Sequence, residues 1–243
     1  MKWRLVRVEL RKCIDTRASR TLLLVFVALS TGAALLSLST SPTLSEFLAA
    51  AVLPLPLLLP VLAILAVTSD WTQRSAVTTF ALVPRRHQIF AARALAALLL
   101  VLSTVAVTVV ISAAVFVCLD PAEASQTDLD DLRQTAWSIL AISIAASLSG
   151  VAIGSLVLNT PLAIVMTMLL PITYDVTIGA HFTTVAPWIS SLAFSQWLAN
   201  PQWTWLARFD NTIGLGSALC SLLLWVVTPL AAGWLRQTKK EVK

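Results

Sequence analysis

Charged residues are scarce in this chain of 243 amino acids. Only 12% of the residues are Asp, Glu, Lys or Arg, while 58% are hydrophobic. Soluble domains average about 25% charged and about 45–50% apolar residues. So low a charge content leaves too little polar surface to cover a water-soluble globule, and it also excludes a disordered chain. We therefore expect an all-α integral membrane protein in which residues 1–243 form a single transmembrane domain.

The sequence also lacks the motifs of nucleotide hydrolysis and metal chemistry. None of its seven glycines precedes a lysine, so no G-x-x-x-x-G-K loop is available to hold the phosphates of ATP. There is no H-E-x-x-H, and neither histidine lies in an apolar run where it would activate an intramembrane serine. The three cysteines are widely spaced, without a C-x-x-C pair. We expect no enzymatic activity, no metal site and no bound cofactor from this chain alone.

What the sequence does contain is a series of six apolar runs. Helices of about 20 apolar residues cross about 30 Å of hydrocarbon, and no charged residue lies inside any of these runs. The second run contains Pro54, Pro56 and Pro60, so we expect a kinked or broken helix packed inside protein. The fifth run is the shortest. The six predicted spans are residues 21–38, 47–67, 94–119, 135–158, 161–174 and 212–235.

The positive charges indicate the orientation. With both termini inside, the inner segments 1–20, 68–93, 159–160 and 236–243 hold 15 of the 17 Lys and Arg residues, and only Arg133 and Arg208 lie outside. This bias follows the positive-inside rule for a multi-pass protein. Blocks of basic residues beside apolar runs do not form a phosphate groove, so we expect no nucleic-acid partner. A cleaved signal peptide is the competing interpretation of the N-terminus, but no clean A-x-A site follows the first apolar run.

Residues 1–20 have the pattern of an amphipathic helix at the inner membrane interface. Apolar residues recur at spacings of three and four, and basic residues occupy much of the remaining surface. We expect the apolar stripe to lie in lipid and the basic groups to lie near anionic headgroups. The alternatives are a simple topology anchor and a helix that also touches a partner. The characteristic residues of this interface helix are Trp3, Arg7, Leu10 and Arg11.

The inner loop between spans two and three predicts a short cytoplasmic helix. Ser69 or Asp70 supplies an N-cap, residues 71–82 contain no helix breaker, and Pro84 ends the pattern. Arg86 lies where a cation favours a helix C-terminus. A short helix held between two spans is typical of a docking surface for another protein. The alternative is an interfacial helix that serves only the fold.

This loop resembles the first inner loop of type-2 ATP-binding-cassette permeases. The resemblance lies in Ser69-Asp70-Trp71-Thr72-Gln73-Arg74-Ser75, in Leu82-Val83-Pro84-Arg85-Arg86, in Arg93, and in Glu9-Leu10-Arg11-Lys12 before the first span. Six spans over about 240 residues match that family's plan. Asp70 stands where the family more often has Glu, and Arg93 where Lys is often seen; both keep the charge.

The resemblance implies the membrane subunit of an ATP-driven exporter of an amphiphilic drug, peptide or lipid. It implies a dimer with a second copy or a sister permease, in the cytoplasmic membrane of a bacterium. Two partner ATPase subunits would bind the ATP and Mg²⁺. Residues 69–86 would be the coupling loop, with polar contacts from Asp70, Arg74 and Arg86, apolar contacts from Trp71 and Val77, and Pro84 ending the helix.

Residues 175–211 hold four of the nine tryptophans, with Pro187 and Pro201 as breakers. The segment is too apolar for a free loop and too broken for a span, so we expect a re-entrant helix pair at the outer leaflet. In the resembled family such helices close the top of the translocation path, which would make Trp188, Trp197 and Trp203 an outer gate. The alternative is an aromatic belt that only anchors the outer helix ends.

Small residues recur at a spacing of four in the fourth span, at Ala146, Gly150 and Gly154. Such a face lets two helices approach closely. The partner is either another helix of this chain or a second copy.

Two other function classes fit the composition. One is a non-transporting membrane scaffold or sensor whose inner loop docks a regulatory protein. The other is a secondary transporter, which charge-free spans argue against because such proteins usually carry ionisable or polar groups near the membrane midplane.

Overall fold

The computed structural model describes residues 3–40, 42–72, 86–182, 185–191, 193–199 and 213–239. Within these ranges the chain is almost entirely helical and contains no β-strand. This confirms the expected all-α class. The helices are α1 Trp3–Asp15, α2 Arg17–Ser37, α3 Leu44–Val52, α4 Leu55–Thr72, α5 Arg86–Leu119, α6 Pro121–Ser125, α7 Leu129–Val157, α8 Thr160–His181, α9 Ala186–Ile189, α10 Ala193–Ala199, α11 Leu215–Leu222 and α12 Thr228–Lys239.

Two short irregular helices complete this set. A 3₁₀ turn, Leu38–Thr40, follows α2. A π-helical segment, Leu223–Val227, joins α11 to α12.

Four described helices are long and apolar enough to cross a membrane. They are Ser19–Thr40, Gln88–Leu119, Leu129–Val157 and Leu215–Arg236. The pair Leu44–Val52 and Leu55–Ser69 passes the same test together but is bent by 46°, and Thr160–Tyr174 is a shorter apolar helix. The chain is therefore a multi-pass membrane protein by its helices, and its described residues include four such spans, or five if the bent pair is one span. The predicted count of six is not confirmed.

The bend in the second predicted span lies at its prolines. α3 ends at Val52, and α4 begins at Leu55, just after Pro54. A proline supplies no N–H to the preceding turn, and its ring restricts the residue before it. Pro60 lies inside α4 without ending it. The expected break is therefore present, but at Pro54 only.

The third predicted span begins earlier than its apolar run. Helix α5 starts at Arg86 and is 34 residues long, whereas the prediction began at residue 94. The difference arises because Arg93 is buried, with 2% of its surface exposed, rather than solvated at the membrane edge. Because Arg93 is buried and paired, α5 continues through a position where the amino-acid composition predicted the edge of the span.

Helix α7 is the centre of the packing. It contacts α4 and α12 most extensively and also contacts α3, α5, α8 and α10. Every residue from Gly150 to Ser155 is buried. It ends at Leu158, whose φ of 57° is left-handed and whose N–H donates to the Gly154 carbonyl at 3.0 Å. This turn directs the chain into α8 after only two residues.

The N-terminal helix lies against protein on more of its surface than expected. In α1 the side chains of Val6 and Cys13 are buried, and Leu10 packs beside them against α5. Trp3 remains 59% exposed, and Ile14 is also exposed. The apolar stripe predicted to lie in lipid is thus divided: its middle packs on α5, and its two ends stay exposed.

Candidate functional site

The predicted coupling loop lies mostly outside the described residues. Arg74, Val77 and Pro84 fall in the range 73–85, which the structure does not describe. The backbone of Asp70 and Trp71 belongs to the last turn of α4, and Arg86 is the first residue of α5. The loop is therefore flanked by two helix ends whose packing is described.

At the C-terminal end of α4, two threonines join that helix to α8. The hydroxyls of Thr68 and Thr160 lie 2.6 Å apart, and both residues are buried. The Thr68 hydroxyl donates to the Ile64 carbonyl at 2.8 Å, so the Thr160 hydroxyl donates to Thr68. This bond fixes the beginning of α8 beside the last turns of α4.

Near the N-terminal end of α5, a buried ion pair joins that helix to α1. Glu9 is 6% exposed, and its Oε2 lies 3.8 Å from Nε of Arg93. Lys12 donates to the other carboxylate oxygen at 3.2 Å. A carboxylate and a guanidinium buried together are costly to separate, so α1 is fixed to the base of α5.

Sequence reasoning did not select Glu9 as a site residue. The available signal was its spacing, since Glu9 shares a helix face with Val6, Leu10 and Cys13. An acid on the apolar stripe of an amphipathic helix indicates a buried partner. Arg93, 84 residues later in the chain, became that partner only through folding.

Helix α12 is fixed to the end of α7 that precedes α8. The Arg236 guanidinium donates to the Leu156 carbonyl, at the end of α7. A cation at that position also favours the negative end of the helix dipole. Nearby, a Cβ on Gly233 would lie 3.0 Å from the Ser155 Cβ and 3.1 Å from the Leu156 nitrogen, so α12 packs tightly on α7.

The small-residue face of α7 packs within the fold. A Cβ added at Gly150 would lie 2.8 Å from the Cα of Pro60 and 2.9 Å from the Cβ of Ala63. At Gly154 it would lie 3.4 Å from the Cα of Ile64. Ala146 packs at the edge of the main apolar core. Of the two partners left open by the sequence, the face uses a helix of the same chain, α4.

Nearer the start of α7, helices border a half-open cavity of about 410 Å³. Its walls come from α4, α7, α8, α10, α11 and the π-helical segment, and all the described residues that line it are uncharged. Serine and threonine hydroxyls interrupt an otherwise apolar lining. Representative lining residues are Pro60, Ala145, Ser149, Pro171, Phe194 and Trp225.

Two helix irregularities lie in the walls of this cavity. Pro171 is inside α8, and the π-helical segment widens the sixth predicted span, with the Thr228 N–H donating to the Leu223 carbonyl. π-Helical turns inside α-helices are frequent at functional sites. A mostly apolar volume of this size with a few polar groups is typical of a small-molecule site.

Two of the three tryptophans predicted as an outer gate lie in described helices. Trp188 lies in α9 and Trp197 in α10, both half-buried, and Trp203 lies outside the described residues. A tryptophan that sequence reasoning missed, Trp225, makes the specific contact. Its Nε1 donates to the Ile189 carbonyl at 2.7 Å, and its ring meets Tyr174 edge-on at 6.2 Å.

The hydrogen bond from Trp225 to Ile189 ties the π-helical segment to helix α9. Sequence reasoning gave Trp225 no role because it lies in an unremarkable apolar run, and only folding brings it to α9. The predicted outer segment is thus held to the bundle by a tryptophan that belongs to the last span.

No protein-family model matches this chain, and no curated protein is significantly similar to it. The functional argument therefore depends on the residues and geometry above.

Proposed function

We propose that the chain is the membrane-spanning subunit of an ATP-driven exporter in a bacterial cytoplasmic membrane. It crosses the membrane six times with both termini inside, and a separate ATPase subunit supplies the energy. The substrate is amphiphilic. The resemblance to type-2 ATP-binding-cassette permeases motivates this proposal, and the geometry of one helix supports it.

That helix is α4, and it is the observation that carries the proposal. Its last turn leads directly into the predicted coupling loop, while its first turns line the apolar cavity through Pro56, Leu57 and Pro60. A displacement applied at residues 70–72 therefore reaches the cavity wall through about ten residues of continuous helix. No other element needs to transmit it.

In this proposal α4 turns on α7 at the contact between Gly150 and Pro60. Gly150 brings α7 against the α4 backbone at Pro60, and the proline leaves the Pro56 carbonyl without its usual helical donor. On the inner side of this contact α4 packs tightly on α7, and on the outer side the two helices border the cavity. ATP-driven movement of the coupling loop would rotate α4 about this contact and change the cavity's shape.

The coupling test uses two changes in the loop and one at the outer surface. The chain is co-expressed with the ATPase subunit that co-purifies with it, isolated as a complex and reconstituted in liposomes. We expect Asp70→Asn with Arg86→Gln to lower ATP hydrolysis that depends on the membrane subunit at least tenfold, with unchanged membrane insertion. Asp131→Asn, an exposed acid at the outer end of α7, is the control and should have no effect.

The orientation of the loop provides an independent test. A Val77→Cys variant in a cysteine-free background should react with a membrane-impermeant maleimide only after the cells are permeabilised. Glu123→Cys, in the acidic outer loop, should react in intact cells. Reaction of Val77→Cys in intact cells, or unchanged hydrolysis in the loop variant, would contradict the proposal.

A further inference from the structure

The mouth of the 410 Å³ cavity is apolar. Three of its lining residues are more than half exposed and therefore lie at the mouth: Leu53 is 73% exposed, Leu57 54% and Ile172 56%. Leu57 and Ile172 belong to the apolar helices Leu55–Ser69 and Thr160–Tyr174. An opening bordered by exposed leucine and isoleucine side chains in such helices faces hydrocarbon rather than water.

The walls of the cavity offer no counter-ion. All the described residues that line it are uncharged, so a charged ligand would lose its hydration and gain no partner of opposite charge. The hydroxyls in the lining are few. Those of Ser149 and Ser221 make no hydrogen bond to a described residue, and that of Thr167 donates to the Ala163 carbonyl at 2.8 Å. An uncharged ligand therefore suits these walls.

Two backbone carbonyls in the walls lack their usual helical donors. In an α-helix the carbonyl of residue i accepts a hydrogen bond from the N–H of residue i+4, and proline has no N–H. Pro60 in α4 therefore leaves the Pro56 carbonyl without this donor, and Pro171 in α8 leaves the Thr167 carbonyl without it. All four residues line the cavity. Because a carbonyl only accepts hydrogen bonds, a ligand hydroxyl can replace the missing donor.

The volume sets the size of the ligand. At roughly 30 Å³ for a water-sized group, 410 Å³ holds on the order of a dozen non-hydrogen atoms. We propose that this cavity binds one uncharged lipophilic alcohol of that size, which enters sideways from the hydrocarbon of the membrane. Its hydroxyl donates to one of the two carbonyls, and its chain lies against the apolar walls.

As a substrate class, lipophilic alcohols rest on the proposed exporter function, but binding is measured without any ATPase. The purified full chain, in phosphatidylcholine nanodiscs, is exposed to an octan-1-ol that carries a photoreactive diazirine, with and without excess decan-1-ol. Adducts are located by mass spectrometry. Decan-1-ol should lower labelling of residues 53–60 and 167–172 at least fivefold. It should leave labelling of the exposed residues Leu24 and Leu36 of α2 unchanged.

Matched substitutions on α7 test the location. Ala145→Trp fills the cavity from α7 and should lower the decanol-sensitive labelling at least tenfold. Leu140→Trp is on the opposite, exposed side of the helix and should leave this labelling within twofold. The thermal midpoint and elution volume of both variants are compared with those of the parent. If Ala145→Trp fails to fold, Ser149→Phe replaces it.

Competition by related molecules tests the chemical class. At equal mole fraction in the bilayer, decan-1-ol should compete at least fivefold better than decane, decanoate or decyltrimethylammonium. Pro171→Ala restores an N–H for the Thr167 carbonyl and should at least halve the advantage of decan-1-ol over decane. Pro121→Ala, in the first turn of α6 and outside the cavity lining, is the control and should leave this advantage unchanged.

Four results would overturn the assignment. They are labelling that decan-1-ol does not lower, labelling unaffected by Ala145→Trp, equal competition by decane, and disulfide-linked dimers of Leu57→Cys in a cysteine-free background. The last would show that a second copy covers the mouth. Loss of decanol-sensitive labelling with intact ATPase coupling would remove only this inference. Decanol-sensitive labelling with no ATPase in the complex would remove only the exporter function.

Discussion

The two ends of helix α7 have opposite surroundings. Its C-terminal end, from Gly150 to Val157, is packed on α4 and α12, and six consecutive residues in it are buried. In the first 14 residues of the helix, Ile139 is the only buried residue, and one side of the helix borders the 410 Å³ cavity. We call the packed region around residues 150–157 of α7 the base and the region around the 410 Å³ cavity the hollow. Helix α7 belongs to both.

This difference follows from side-chain size and from the loop geometry. Glycine and serine within residues 150–157 allow the backbones of α4 and α12 to approach α7. Nearer the start of α7, the bend at Pro54 and the short helices α9 and α10 leave space. Close-packed regions transmit displacement, and hollow regions change shape at low cost. The comparison predicts that substitutions at the base lower the free energy of unfolding strongly and that substitutions around the hollow lower it little.

The largest effect is expected at the buried ion pair of the base. Glu9→Ala should lower the free energy of unfolding by about 3–5 kcal/mol, because it removes one partner of a buried pair. Unfolding is followed in mixed micelles by denaturant titration of the full chain. Replacing both partners, in Glu9→Met with Arg93→Met, should recover much of this loss.

The control for that prediction is an exposed ion pair at the end of the same helix. Asp15 and Arg20 lie 3.8 Å apart, and both are well exposed. Asp15→Ala should change the unfolding free energy by less than about 1 kcal/mol. Equal losses for Glu9→Ala and Asp15→Ala would mean that the base is not held by this pair.

A smaller loss is expected where α7 crosses α4. Gly150→Ala places a methyl group against the backbone of Pro60, which must move, so we expect a loss of about 1–3 kcal/mol. Gly32→Ala is the matched control, because no atom lies within 4 Å of an added Cβ there. It should stabilise α2 by up to about 1 kcal/mol through helix propensity. Identical melting behaviour of the two variants would refute the close approach.

The smallest effect is expected at the rim of the hollow. Trp225→Phe keeps an aromatic ring but removes the indole N–H that donates to the Ile189 carbonyl, at a cost of about 0.5–1.5 kcal/mol for the hydrogen bond. Amide hydrogen exchange should accelerate in α9, at residues 186–189, and stay unchanged in residues 150–157 of α7. Trp188→Phe is the control for loss of an indole in the same region. Faster exchange throughout α7 would show that base and rim are not separate units.

Sequence patterns predicted some of these features for clear physical reasons. Helical periodicity located α1, and the prolines at 54–60 predicted the break in the second span, because both signals are local. The spacing of Ala146, Gly150 and Gly154 predicted a close helix contact but not its partner. Helix α5 ends at Leu119, as the predicted span does, but it begins eight residues before that span because local hydropathy does not show that Arg93 is buried.

The coupling loop and the outer gate remain predictions of the sequence. Arg74, Val77, Pro84 and Trp203 lie outside the described residues, so neither the loop nor the full set of outer tryptophans is placed. The structure describes only the contacts that hold the helices on either side of the coupling loop. They are the hydrogen bond between Thr68 and Thr160 and the ion pair of Glu9 with Arg93.

By itself the sequence determined that this protein is a multi-pass helical membrane protein without a nucleotide-binding loop. Composition and motif content do not depend on which residues meet in space. The tertiary structure alone decided that Glu9 meets Arg93, that Gly150 meets Pro60, and that uncharged residues from separate helices line one cavity. Each of these depends on contacts between residues far apart in the chain, which only the packing of complete helices creates.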